Sequence, residues 1–226
     1  LNMSCPHGLP ERRMGSAMGQ SPELLGEVCG WVREVARVPV WAKMTPNVTS
    51  IVDVASAAVE AGCRGISAIN TVLSVMGVNL NTLRPEPTVE GYSTPGGYSG
   101  RAVKPIALRM AMEIARALGS RASLSAVGGV ESGDDAAEFM LLGASTVQVC
   151  TGVMIHGYGL VKELERGLRA FMDRHSFRSI EEFRGHSLKY FTSHSELVAM
   201  KHGAKSGQDA AWSAERFVEQ VEHESK

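Results

Sequence analysis

A chain of 226 residues, 44% hydrophobic and 21% charged, with a formal charge of −1, has enough apolar side chains for a sizeable core. Its charge balance gives no electrostatic reason to expect nucleic acid or an anionic membrane as partner, and no apolar run approaches the ~18 residues of a membrane helix. Cys5, Cys29, Cys63 and Cys150 are widely spaced with no C-x-x-C pair. That argues against a disulfide framework, a metal site or an iron–sulfur cluster built from this chain, and makes a reducing cytoplasm the expected setting.

In chain order, Ser21-Pro22 opens a helix over 22–36, with a capping hydroxyl before a proline at the first helical position. Four β-type runs follow, at 38–44, 65–69, 122–127 and 146–150, each preceding a helical pattern at 51–61, 105–118, 133–142 and 161–174. Ser50 with Asp53, and Ser132 with Asp134 and Asp135, mark helix starts; Gly62 and Gly143 fall where helices should stop. Residues 70–103, rich in glycine and proline, lack periodicity and read as a long functional loop. After residue 175 the pattern changes to short helices at 180–183, 195–202 and 209–222, read as a helical extension (176–226) beside a main domain (1–175).

Strand–helix alternation predicts a parallel sheet covered by helices, either doubly wound or a barrel. A full (β/α)₈ barrel needs eight units and about 250 residues. Four clear units, a helix whose strand would lie before Leu1, and a first residue that is not methionine fit the C-terminal half of a barrel.

In such folds the site lies at the C-terminal ends of the strands. Those ends are residues 2–7, 43–47, 70–71, 127–129 and 150–152, each polar or glycine directly after an apolar run. Val127-Gly128-Gly129 and Cys150-Thr151-Gly152 follow the last two strands, where backbone N–H groups can approach a phosphate; tight βα turns are the bland alternative. Lys43 ends an apolar strand, either facing an anionic cofactor or lying outward along its stem. Cys5, in Ser-Cys-Pro-His-Gly, is a candidate general acid with His7 two residues on, because a free thiol, with a pKa of roughly 8.5, is mostly protonated at neutral pH. Cys29 and Cys63 read as structural, and the eleven methionines as core filler.

Taken together, Asn2-Met3-Ser4-Cys5-Pro6-His7, Gly19-Gln20-Ser21-Pro22-Glu23-Leu24, Ala42-Lys43-Met44-Thr45-Pro46-Asn47, Ile69-Asn70-Thr71, Gly97-Tyr98-Ser99-Gly100, Val127-Gly128-Gly129 and Gln148-Val149-Cys150-Thr151 resemble, in order, the flavin barrel of the dihydropyrimidine dehydrogenases over about residues 1 to 175. The resemblance implies a TIM barrel of the dihydroorotate dehydrogenase-like type that holds FMN and reduces the C5–C6 bond of uracil or thymine. It implies Cys5 as the proton donor, Asn2, Ser4, Asn70 and Thr71 as pyrimidine ligands, and Lys43 at the flavin ring. Gly100, Val127, Gly128, Gly129, Cys150 and Thr151 would lie around ribityl and phosphate. NAD(P)H and iron–sulfur clusters would then act only through a segment outside these residues or a partner subunit, in a homo- or hetero-oligomer. The rival readings are a cysteine-type dihydroorotate dehydrogenase, in which Cys5 would be a base, and a non-catalytic barrel fragment that needs a partner chain.

Overall fold

The computed structural model describes residues 1–5 and 10–205; His7 and the helix expected over 209–222 lie outside the described residues. After a short turn over Pro10–Arg12 come α1 (Ser16–Gly19), α2 (Pro22–Val35), β1 (Trp41–Lys43), α3 (Ile51–Glu60) and β2 (Gly65–Ala68). Then follow β3 (Val72–Ser74), β4 (Gly77–Asn79), β5 (Arg84–Glu86), β6 (Gly96–Tyr98), α4 (Lys104–Leu118), β7 (Ser123–Val127) and α5 (Gly133–Leu141). β8 (Thr146–Gln148), α6 (Thr151–His156), α7 (Leu160–Arg174) and α8 (His194–Lys205) complete the order.

The helix starts obey local chemistry. Ser21 Oγ accepts from Leu24 N at 3.3 Å and Ser50 Oγ from Asp53 N at 3.4 Å. Ser132 and Asp135 form a reciprocal capping box at the start of α5, satisfying donors that the first turn leaves without carbonyl partners. Gly62 (φ +95°) and Gly143 (φ +100°) end α3 and α5 in the left-handed region that a side chain disfavours.

β1, β2, β7 and β8 form one parallel sheet in that order, and Asn2 bridges Lys43 in parallel, so residues 1–3 run along the outer side of β1. Spatial order therefore follows chain order, each new strand adding on the same side. A doubly wound sheet reverses order at a switch point; this sheet does not, and the winding is that of a barrel. Ala42, Ile66, Ala68, Leu124 and Ala126 are buried in a core that also takes Ile51, Val54, Ala107, Met110 and Ile114 from α3 and α4. Strand alternation puts the registered row Lys43, Ser67, Ser125 and Thr146 on the opposite face. There Gln148 Nε2 donates to Ser67 Oγ (2.9 Å) and Ser125 Oγ (2.8 Å), and Thr146 Oγ1 donates to Ser125 Oγ (2.8 Å).

Three expectations need correction. Residues 70–103 are not structureless: β3 pairs antiparallel with β6, and β4 with β5. α6 intervenes between β8 and α7, where the helix over 161–174 was expected to follow the strand and its loop. The turns after residue 176 are not peripheral, because Phe183 is fully buried against Phe171 of α7 with ring centroids 5.3 Å apart. One compact unit runs from Leu1 to Leu188, and a second from Lys189 onward contains α8.

Candidate functional site

Parallel strands deliver their C-terminal ends to one edge of the sheet, and a cleft of about 120 Å³ opens there. Its walls come from Lys43 at the end of β1, Ile69 to Thr71 after β2, Tyr98 to Gly100 from the end of β6, Val127 to Val130 from the end of β7, and Gln148 with Cys150 to Gly152 from the end of β8. Every residue that the resemblance places at flavin lines it: Lys43, Gly100, Val127, Gly128, Gly129, Cys150 and Thr151. Asn70 and Thr71 of the pyrimidine set line it as well. The volume is below the 300–1,000 Å³ usual for a ligand pocket, so these walls form a partial site.

The lining offers donors and no carboxylate. Among the described residues neither Asp nor Glu contributes to the wall, and no carboxylate pairs with Lys43, which is half-buried. The Gly128 and Gly129 N–H groups donate to no backbone carbonyl among the described residues, and Thr151 Oγ1 donates to Ser99 Oγ at 3.0 Å across the cleft mouth. Gly129 (φ +70°) lies so close to the preceding loop that a Cβ there would stand 2.8 Å from the Gly100 carbonyl oxygen. At Gly152 a Cβ would stand 2.7 Å from the Val130 carbonyl oxygen. Bare backbone lets three loops converge at one end of the cleft, and a lone cation sits at the other. That donor set suits a group with an anionic phosphate and a ring that gains negative charge on reduction, so the residues fit FMN.

The pyrimidine set forms one hydrogen-bonded chain. Asn70 Nδ2 donates to the Ser4 carbonyl (2.8 Å) and to Ser4 Oγ (2.7 Å); Ser4 Oγ in turn donates to Asn2 Oδ1 (2.7 Å). Ser4 is fully buried, and its N–H also reaches Asn2 Oδ1 at 3.1 Å. Both Asn70 N–H groups and the Asn2 carbonyl oxygen are thereby committed, whereas Asn70 Oδ1 and Asn2 Nδ2 bond to none of the described residues. No buried side-chain polar atom among the described residues lacks a partner, so both of these atoms are accessible. What remains is one acceptor and one donor, the pattern of an amide edge.

Thr71 takes a supporting part. Its carbonyl accepts from Asn47 Nδ2 (3.2 Å), and its side chain occupies the space a Cβ on Gly97 would need. Cys5 follows Ser4 and is exposed, outside the cleft wall. In the core, the neighbouring Cys63 thiol and burial together raise the Cys29 thiol above the ordinary range.

Sequence reasoning missed two organising residues. Asn47 Oδ1 accepts from Leu73 N (2.9 Å) while its Nδ2 binds Thr45 Oγ1 (3.0 Å), which fixes the turn that carries Asn70. The Pro46-Asn47 turn signal was visible, but its partners lie 24 and 26 residues away. Gln148, anchored to two strands, lines the cleft as the last residue of β8, and its position two residues before Cys150 was the available signal.

Comparison with known proteins agrees with this geometry. Residues 1–172 match the family model described as dihydroorotate dehydrogenase. The chain is 58% identical to the chloroplastic dihydropyrimidine dehydrogenase (NADP(+)) of Arabidopsis thaliana, over 98% of this chain and 55% of that protein. It is 44% identical to the NAD-dependent dihydropyrimidine dehydrogenase subunit PreA of Escherichia coli K12, over 81% of this chain and 45% of the relative. With the catalytic subunit of dihydroorotate dehydrogenase B (NAD(+)) from Pyrococcus abyssi the identity is 38%, over 84% and 60% respectively. The chain thus spans about half the length of the curated relatives it matches.

Proposed function

The chain belongs to the dihydroorotate dehydrogenase family, and from that premise we propose that it forms the flavin- and pyrimidine-binding part of a dihydropyrimidine dehydrogenase, reducing the C5–C6 bond of uracil or thymine. The observation that carries the reading is the pairing of a carboxylate-free cleft that holds Lys43 with an amide-edge pair, Asn70 Oδ1 and Asn2 Nδ2. The greater likeness to relatives named dihydropyrimidine dehydrogenase than to one named dihydroorotate dehydrogenase supports the choice of ring.

In this mechanism Lys43, Gly128, Gly129 and Thr151 would hold FMN, with Gly100, Val127 and Cys150 forming the wall around them. FMN held there would supply the hydride that C6 of the ring takes up. The protein's share is orientation and proton delivery. Asn70 Oδ1 accepts from a ring N–H and Asn2 Nδ2 donates to a ring carbonyl, which holds the ring plane with C5 toward Cys5. Cys5 Sγ then gives its proton to C5, and the thiol recovers it from solvent through its exposed position. Preset hydrogen bonds of this kind lower the barrier by holding reacting atoms in place before the step.

Electrons would enter from NAD(P)H through iron–sulfur clusters on a partner subunit or a further segment, in keeping with the word "subunit" in the name of the E. coli relative. No helix among the described residues is long and apolar enough to cross a membrane. We place the protein in the cytoplasm by its composition, with a plastid as the alternative, since the Arabidopsis relative is named chloroplastic. The deciding experiment is a flavin spectrum of protein purified in a zwitterionic buffer free of phosphate and sulfate, followed by reoxidation of the dithionite-reduced form by uracil or by orotate. Faster reoxidation by uracil is expected; a colourless protein, or preference for orotate, would refute the proposal.

A further inference from the structure

Lys104 is the first residue of α4, where a cation opposes the positive end of the helix dipole. Helix stability therefore does not account for it. Nor is it free to bind an anion in the adjacent cleft, because its Nζ lies 2.5 Å from Asp135 Oδ1 and 2.8 Å from Glu138 Oε2 of α5. The Asp135 side chain is almost wholly buried, and its second oxygen accepts from Glu131 N (3.0 Å) and Ser132 N (2.8 Å). One carboxylate thus grips Lys104 with one oxygen and the loop after β7 with the other.

Two loops converge at this point. Gly100 (φ +85°) leads into α4, and Gly128-Gly129 leads into α5. They touch through backbone: a Cβ on Gly129 would stand 2.8 Å from the Gly100 carbonyl oxygen, 2.9 Å from Lys104 Cβ and 3.1 Å from Arg101 Cα. Among the described residues the Lys104–Asp135–Glu138 group is the ion-pair tie between these segments. Lys104 itself stands behind the cleft wall and not in it.

We propose that Lys104 is a positioning residue, a clamp that holds the Gly100 and Gly128-Gly129 loops at the spacing required by a phosphate monoester. This rests on the reading of the cleft as a flavin nucleotide site and adds to it a residue that touches no ligand. A lysine bound to two carboxylates is distinct in role from Lys43, which has none.

The test compares FMN with riboflavin, which has the same ring and ribityl chain without phosphate, by fluorescence quenching on wild type, Lys104→Met and Lys104→Arg. The clamp predicts that Lys104→Met weakens FMN at least about ten-fold, the factor given by ~1.4 kcal/mol, and leaves riboflavin within about two-fold. Lys104→Arg, which keeps the ion pair, should recover most of the difference. Removing Lys104 also leaves two carboxylates uncompensated, so each titration is repeated at about 0.5 M salt, where through-space repulsion is strongly screened. The FMN-selective loss should persist there. Equal loss for both ligands would mark a merely structural role and overturn the proposal, as would no loss, or a loss that vanishes in salt. Circular dichroism of each variant without flavin identifies one that has failed to fold; if Lys104→Met is that one, Glu138→Gln, which removes one of the two carboxylates that hold Lys104, decides, and an FMN-to-riboflavin affinity ratio equal to wild type in Glu138→Gln overturns the clamp. Wild type that binds neither ligand refutes the flavin reading itself, and the clamp with it.

Discussion

Asn70→Ala removes two donors from fully buried Ser4, the bonds of 2.8 Å to its carbonyl and 2.7 Å to its hydroxyl. A buried acceptor left without a partner costs about 1–3 kcal/mol. At roughly 2–4 °C per kcal/mol for a chain of this size, the melting temperature should fall by about 2–12 °C. Ser4→Ala removes only the hydroxyl, which accepts from Asn70 and donates to Asn2. The two changes therefore share one bond, and in a double-mutant cycle they should couple by about 0.5–1.5 kcal/mol. Thermal unfolding of wild type, both single variants and the double variant measures the stability term. Uracil kinetics on the same four proteins measure the functional one, with KM raised in every variant because Asn70→Ala deletes one ring-facing amide and Ser4→Ala frees both to turn. Additivity within about 0.3–0.5 kcal/mol, with KM unchanged, would show that the Asn70–Ser4–Asn2 chain does not behave as a unit.

Other substitutions probe the remaining parts. Lys43→Ala should weaken FMN about ten- to a hundred-fold, since a hydrogen bond to a charged group is worth about 1.5–3 kcal/mol, and unchanged flavin content would remove Lys43 from the site. Cys5→Ala should bind and reduce flavin normally yet lose about 10²–10⁴-fold in uracil-dependent reoxidation; near-normal reoxidation would end its role as proton donor. Burial opposes the charge on Asp135, but hydrogen bonds from Lys104, Glu131 and Ser132 outweigh it and hold the carboxyl below its ordinary value. A depressed folded value means stability that is present above about pH 3.9 and lost as pH falls through the folded value. Asp135→Asn should therefore flatten the acid limb of melting temperature against pH, and an unaltered acid limb would count against the pair.

The positions of the residues that line the cleft were readable because each strand end breaks an apolar run with a polar residue or glycine. Lys43, Asn70, Val127 to Gly129, and Cys150 with Thr151 could be named from that break alone, and parallel strands bring such breaks to one edge. The two ribbons within 72–98 were not readable. Their strands are three residues long, and Val72-Leu73-Ser74 meets its partner only at 96–98, with no tight turn between them to announce the pairing. The barrel's winding also needed the structure, since alternation of strand and helix is common to both candidate architectures and only strand order separates them. Lys104–Asp135 was invisible for a related reason. The partners are 31 residues apart on different helices, where Asp135 read only as a favourable first-turn charge. Sequence periodicity reports how an element faces its own neighbours; it carries no record of which distant side chain closes a contact.

A wall built of cation, hydroxyl and bare amide selects for negative charge before it selects for shape, so it has no means of refusing a small abundant oxyanion. Inorganic phosphate or sulfate in a purification buffer would occupy the glycine end of the cleft and displace cofactor according to their concentration. Protein prepared in phosphate should accordingly emerge pale, and the same protein prepared in a zwitterionic buffer yellow, with nothing changed in the polypeptide.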